Sequence, residues 1–209
     1  MTSVFLYVPN IIGYLRVGLV VVAWLYYDML PVFLPFYLSS VILDVVDGYA
    51  ARYLDQTSAF GAWLDVWVDN ISRSLLWTSL NSCGVIIACL EWTVFVCTHS
   101  LGSRWKEAFG LAPWWVKAVM ANGFYTLPGA LTIAGIHGLP VALYLAQKQS
   151  DWVPYTVGWG DPLVWPTVFI LATGRTIGAA VELWCIKTHV VGLVTETTHP
   201  AMDQQLDQH

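Results

Sequence analysis

Charge is what this sequence has least of. Only 11% of its 209 residues are Asp, Glu, Lys or Arg, whereas soluble domains usually carry about 25%. That shortage argues against a water-exposed globular surface and points to lipid. Positive charge is scarcer still, with nine Lys and Arg against fourteen Asp and Glu and a net charge of −5. No basic footprint for nucleic acid is left, and no nucleic-acid partner is expected. Cysteine is sparse too: Cys83, Cys89, Cys97 and Cys185 form no CxxC pair and fall in apolar runs. They read as small buried hydrophobes rather than as disulfides or zinc ligands. No Lys or Arg precedes the first apolar run, so no cleavable signal peptide is expected.

What the chain has in plenty is apolar length. Hydrophobic residues make up 57% of it, and a helix needs roughly 20 residues to cross a bilayer. Six helices are predicted, at about residues 9–27, 32–53, 59–82, 85–103, 124–146 and 162–191. Proline at a helix start and breakers such as Pro31 mark several boundaries. A polar connection with Arg104, Lys106, Glu107 and Lys117 joins the fourth helix to the fifth. The expected fold class is therefore all-α, a membrane bundle of six transmembrane helices over residues 1–194. Residues 195–209 form a polar tail expected to be disordered. Twelve Trp and ten Tyr suit such a protein, because amphipathic rings settle at the headgroup level. Trp114, Trp115, Trp152 and Trp159 lie near expected span ends. Arg52, Arg104, Lys106 and Lys117 fall on one side of six spans and Lys148 alone on the other, which places the Arg52 side in the cytosol.

Within these apolar helices four carboxylates stand out, because burying a charge in hydrocarbon costs several kcal/mol. Asp44 and Asp47 are three residues apart and share a helix face, as do Asp65 and Asp69, four apart. The short connection between the second and third helices brings the two faces together. Four converging carboxylates repel one another, and one or two divalent cations are the natural compensation. Oxygen-only ligands suit magnesium or manganese. Gly48, Ala51 and Gly61 leave room for close approach of backbone and ligand. Arg52, ending the second helix, presents donors that suit a phosphate oxygen.

The stretch reads Asp44-x-x-Asp47-Gly48-x-x-Ala51-Arg52, then eight residues, then Gly61-x-x-x-Asp65-x-x-x-Asp69. It resembles, with no position missing, the motif of the CDP-alcohol phosphotransferases, the class I phosphatidyltransferases. The opening Phe5 to Arg16 and the run Gln56-x-x-x-Phe60-Gly61-Ala62-x-Leu64-Asp65 look like eukaryotic phosphatidylinositol synthases (CDP-diacylglycerol–inositol 3-phosphatidyltransferases). That closer likeness covers about residues 4 to 80 and fades beyond.

The resemblance implies an enzyme that transfers a phosphatidyl group from CDP-diacylglycerol to a small alcohol, inositol being the expected acceptor, with release of CMP. It implies a site in which Asp44, Asp47, Asp65 and Asp69 hold two Mg2+ or Mn2+ ions and Asp69 takes the proton of the attacking hydroxyl. Gly48, Ala51, Arg52 and Gly61 would shape the CDP-diacylglycerol pocket, with Asn10 contributing from the first helix. A homodimer in the endoplasmic reticulum membrane is implied in the same way.

The chain departs from the synthases on the acceptor side. Asn70 follows the fourth Asp where they have Arg, Phe95 stands where they have an acid before Ser-His (here Thr98-His99), and the Arg and Glu of their fifth helix are missing around Tyr125-Thr126-Leu127-Pro128 and Ile136-His137-Gly138. These losses leave open another acceptor, such as glycerol phosphate or serine, or a catalytically silent relative that binds CDP-lipid. Arg73, Glu91, Arg175 and Glu182, all inside expected spans, read as pairs between helices or as part of an alcohol cavity.

Overall fold

In a computed structural model the described residues are 3–100, 110, 112–148 and 162–198. Among them lie seven α-helices and no strand: α1 (Val8–Leu25), α2 (Leu30–Tyr53), α3 (Ala59–Leu80), α4 (Gly84–Ser100), α5 (Trp114–Met120), α6 (Leu127–Gln147) and α7 (Val164–Thr198). The six long helices are the ones expected. The short α5 was not: it lies where a polar connection is predicted, and it forms because Val116 and Val119 bury against Val181 of α7. Arg104, Lys106 and Glu107 of that connection, Trp152, Trp159 and the end of the polar tail lie outside the described residues; α7 itself continues to Thr198.

Helix starts follow from local chemistry. Proline occupies the first turn of α1, α2 and α6, where its missing N–H is harmless. The Ser58 hydroxyl caps α3 by accepting from the Gly61 N–H at 3.0 Å, and Thr126 caps α6 by accepting from the Gly129 N–H at 3.1 Å. Gln56, in the loop before α3, accepts from the Val8 N–H at 2.8 Å, so one side chain ties the start of α1 to the α2–α3 turn.

Polarity in the bundle runs inside out. Val21, Ile42, Val45, Ile86, Val96 and Phe169 are exposed, while Arg16, Asp47, Asn70, Arg73, Glu91 and Arg175 are buried. α1, α2, α6 and α7 are long and apolar enough to cross a membrane by length and composition. α3 carries Asp65, Asp69 and Arg73, and α4 has 17 residues. Together with the apolar outer surface, this defines a multi-pass membrane protein. Two cysteines correct the sequence reading: Cys83 and Cys89 are exposed, Cys97 is buried and Cys185 half-buried, all four being free thiols. A helix apolar all round, as α4 nearly is, does not reveal which face meets lipid. Trp114 is exposed and Trp115 partly buried.

Packing positions the site. α1 lies along both α2 and α3, which scarcely meet each other, and α7 packs on α4 and α6. Near the α1–α2 turn, Phe33, Tyr37, Leu76, Trp77, Leu139 and Tyr144 form an apolar core, and the Tyr144 hydroxyl donates to the Tyr27 carbonyl at 2.7 Å. α6 and α7 touch backbone to backbone: a Cβ added at Gly174 would lie 2.0 Å from the Leu131 carbonyl oxygen, and one at Gly135 2.2 Å from the Arg175 nitrogen. Such close crossings through small residues are a membrane packing device. This one sets Arg175 at a fixed depth in the bundle.

Candidate active site

Asp44 and Asp47 from α2 and Asp65 and Asp69 from α3 do converge. The gap between the two helices is bridged by Arg16 of α1. Its Nη1 reaches Asp47 Oδ2 at 2.7 Å and Asp65 Oδ1 at 2.8 Å, and its Nη2 reaches Asp44 Oδ1 at 2.7 Å and Asp69 Oδ1 at 2.6 Å. The Arg16 side chain is 1% exposed, so a full positive charge is held inside an apolar helix by its carboxylate partners. Sequence reasoning treated Arg16 as part of a family-like opening and gave it no place in the site. The signal that finds it is a lone cation nine residues into a hydrophobic span, which demands an acidic partner.

One oxygen from each of Asp44, Asp47 and Asp65 lies within 4.8 Å of the others. That spacing and the all-oxygen donor set fit a divalent cation. Asp69 stands outside this trio and joins it through Arg16. With four carboxylates around one guanidinium, the cluster keeps an excess of negative charge.

Beside the cluster is a cleft of about 170 Å³, formed where α1 begins, α2 ends and α3 begins. Asn10, Gly48, Ala51, Arg52 and Gly61 all line it, with Asp47 and Asp65 in its wall. Gly61 is needed for its lack of a side chain: a Cβ there would come within 2.8 Å of Asn10 Oδ1 and 3.1 Å of Ser58 Oγ. Asn10 is buried and donates through Nδ2 to the Val4 carbonyl at 2.6 Å, which fixes its amide against the cleft.

A second group of charges continues from Asp69 away from the cleft. Arg73 Nη1 meets Asp69 Oδ2 at 3.2 Å, Arg73 Nη2 donates to Asn70 Oδ1 at 2.6 Å, and Arg73 Nε donates to Glu91 Oε2 at 2.9 Å. Arg175 Nη1 donates to Glu182 Oε2 at 2.8 Å, and Arg175 Nη2 lies 3.5 Å from Glu91 Oε1. Pairing between helices, one of the two readings of these four residues, is therefore present across α3, α4 and α7. Asn70, at the position where the resemblance leads one to expect Arg, supports a different Arg one turn on. Glu91 supplies an acid one turn before Phe95.

His137 of α6, noted in the sequence only where an acid of the synthases' fifth helix is missing, places Nε2 4.0 Å from Asp69 Oδ2. No periodicity marks it, because only the crossing of α6 with α3 brings it near. Other acceptor-side candidates do not gather here. The Thr98 hydroxyl is spent on the Val94 carbonyl at 2.8 Å, the exposed His99 stacks on Phe95 with ring centroids 5.5 Å apart, and Tyr125 is exposed.

The multi-pass helical bundle thus carries a carboxylate cluster on α2 and α3 beside a cleft. Its kinship is specific: residues 6–121 match the CDP-alcohol phosphatidyltransferase family model, and the chain belongs to that family. The chain is 44% identical over 80 residues to CDP-diacylglycerol–inositol 3-phosphatidyltransferase 1 of Arabidopsis thaliana, covering 38% of this chain and 35% of that one. It is 40% identical over 79 residues to the Homo sapiens CDP-diacylglycerol–inositol 3-phosphatidyltransferase, covering 37% of each. It is 45% identical over 75 residues to the Candida albicans protein of that name, covering 35% of this chain and 33% of the other. The chain thus spans about a third of the length of these relatives, 33% to 37%. No solved structure matches it.

Proposed function

We propose that the protein transfers the phosphatidyl group of CDP-diacylglycerol to a hydroxyl of a small alcohol, with myo-inositol as the leading acceptor, giving phosphatidylinositol and CMP. The observation that carries this reading is the carboxylate excess of Asp44, Asp47, Asp65 and Asp69 beside a cleft of about 170 Å³ lined by Arg52. The names of the relatives supply the donor and acceptor.

Asp44, Asp47 and Asp65, with Asp69 adjoining, hold one or two Mg2+ or Mn2+ ions. Bound cations supply charge neutralisation of the diphosphate and stabilise the attacking and leaving oxygens. Arg52 pairs with a phosphate oxygen, while Gly48, Ala51 and Gly61 let the nucleotide approach the backbone, and Asn10 keeps that wall in place. The acceptor oxygen attacks the phosphorus that bears diacylglycerol, the bond from that phosphorus to CMP breaks, and the hydroxyl proton passes to Asp69. CMP leaves through the cleft, and the product stays in lipid by its acyl chains. Arg16 holds Asp69 and the trio in register. The same reading places the cleft on the cytosolic face of the endoplasmic reticulum, where nucleotide and alcohol arrive from water, and includes a homodimer.

The test is CMP release from CDP-diacylglycerol by purified protein with Mg2+ or Mn2+, across inositol, serine and glycerol 3-phosphate, beside Asp69→Asn. Release that needs an alcohol and disappears in the variant is the expected result. Release driven by serine or glycerol phosphate keeps the chemistry and changes the acceptor. Silence with every alcohol, with CDP-diacylglycerol still bound, rejects the reading in favour of a silent CDP-lipid binder.

A further inference from the structure

Asp69 has two faces. Its Oδ1 is turned to Arg16 and the metal-competent trio, and its Oδ2 is turned to Arg73 and His137. The cleft is lined by Asp47 and Asp65 and not by Asp69. In a phosphoryl substitution the attacking and leaving oxygens lie roughly in line on opposite sides of phosphorus. With CMP in the cleft, the acceptor must come from the side where Asp69 Oδ2, Arg73 and His137 meet. This step rests on the function proposed above.

The charges on that side are balanced. Arg73 is paired with Asp69 and Glu91, and Arg175 with Glu182 and, more loosely, with Glu91. Among the described residues the side therefore has no guanidinium to spare for a phosphate, which needs unpaired donors of opposite charge. Its polar capacity is nevertheless incomplete. Glu91 is 4% exposed and Arg175 is 6% exposed; Glu91 Oε1 and Arg175 Nη2 face each other at 3.5 Å, but Arg175 Nε has no hydrogen-bond partner. Buried polar atoms left open in this way cost stability unless something fills them. An open buried donor beside a loose ion pair suits a hydroxyl group, which can accept from the one and bridge the other without adding charge.

We propose that Glu91 sets the charge of the acceptor: by pairing with both Arg73 and Arg175 it makes the side beyond Asp69 neutral overall, so that it admits an uncharged polyhydroxyl alcohol and turns away a phosphorylated one. Glu91 acts through the two arginines, as a positioning residue for specificity. Removing its charge frees guanidinium donors next to Asp69 and inverts the preference.

The experiment is equilibrium binding of radiolabelled myo-inositol and of radiolabelled glycerol 3-phosphate to the purified full chain in detergent, wild type and Glu91→Gln, with CMP release measured for both acceptors. Wild type is expected to favour inositol. Glu91→Gln is expected to lose roughly 10-fold for inositol and gain roughly 10-fold for glycerol 3-phosphate, the effect of about one charge-assisted contact each way. Should Glu91→Gln fail to fold, Glu182→Gln, which loosens Arg175 alone, is expected to move the ratio the same way by a smaller factor. A wild type that prefers glycerol 3-phosphate, or a ratio unmoved while both affinities fall together, overturns the proposal. Selective inositol binding that shifts in the variant, but without CMP release from any form, upholds charge selection and sinks the transferase reading instead.

Discussion

Two clusters of buried charge meet at Asp69, and they are built on opposite principles. Around Arg16, four carboxylates share one guanidinium. Around Glu91, two guanidiniums alternate with two carboxylates. The first cluster borders an open cleft, and its surplus of carboxylates is what the proposed cation would offset. The second is close to neutral by itself and needs no counter-ion. Buried ion pairs of that sort usually add little net stability, and their value lies in what they specify. In the proposed reading, imbalance marks the place where chemistry is done, and balance the place where the acceptor is chosen.

The largest effect is expected where the clusters join. Asp69→Asn should lower CMP release by about 10²–10⁴-fold, the usual worth of a positioned general base, with helix content by circular dichroism unchanged. Arg16→Leu breaks the first cluster outright. Stranding its carboxylates should cost about 3–5 kcal/mol, read as a fall in thermal midpoint in detergent that added Mn2+ partly restores. No such rescue is expected for variants of the second cluster. There, Glu182→Leu strands Arg175 and should cost about 2–3 kcal/mol, while Arg175→Met with Glu182→Leu should cost less than the single change. A double-mutant cycle on chemical denaturation reads that difference. Gly61→Ala touches only the cleft wall, where the new methyl meets the Asn10 amide at 2.8 Å. It should cost about 1–2 kcal/mol, seen as weaker CMP binding in calorimetry.

How much of this was legible in the sequence differs between the clusters for a physical reason. Asp44, Asp47, Asp65 and Asp69 were readable because each pair obeys helical spacing and a five-residue loop, Leu54 to Ser58, joins their helices. Gly48, Ala51, Arg52 and Gly61 came with the same local pattern. Arg16 was not found, because its partners sit 28 to 53 residues away on two helices that scarcely touch. The second cluster was half visible: charges in apolar spans announce that they have partners. Which partners they are depends on how α4, α6 and α7 cross, and that is set by close contacts such as Gly135 on Gly174 rather than by any periodicity. The approach of His137 to Asp69 was hidden for the same reason. α5 escaped because seven residues are too few to show a pattern before Val116 and Val119 find α7.

The contrast between the clusters is tested most directly by titrating the purified protein with Mn2+ and following the free ion by electron paramagnetic resonance. Wild type is expected to bind the ion saturably, with binding lost in Asp44→Asn with Asp65→Asn and retained in Glu182→Gln. Binding that survives the first variant, or is absent from wild type, would contradict that contrast.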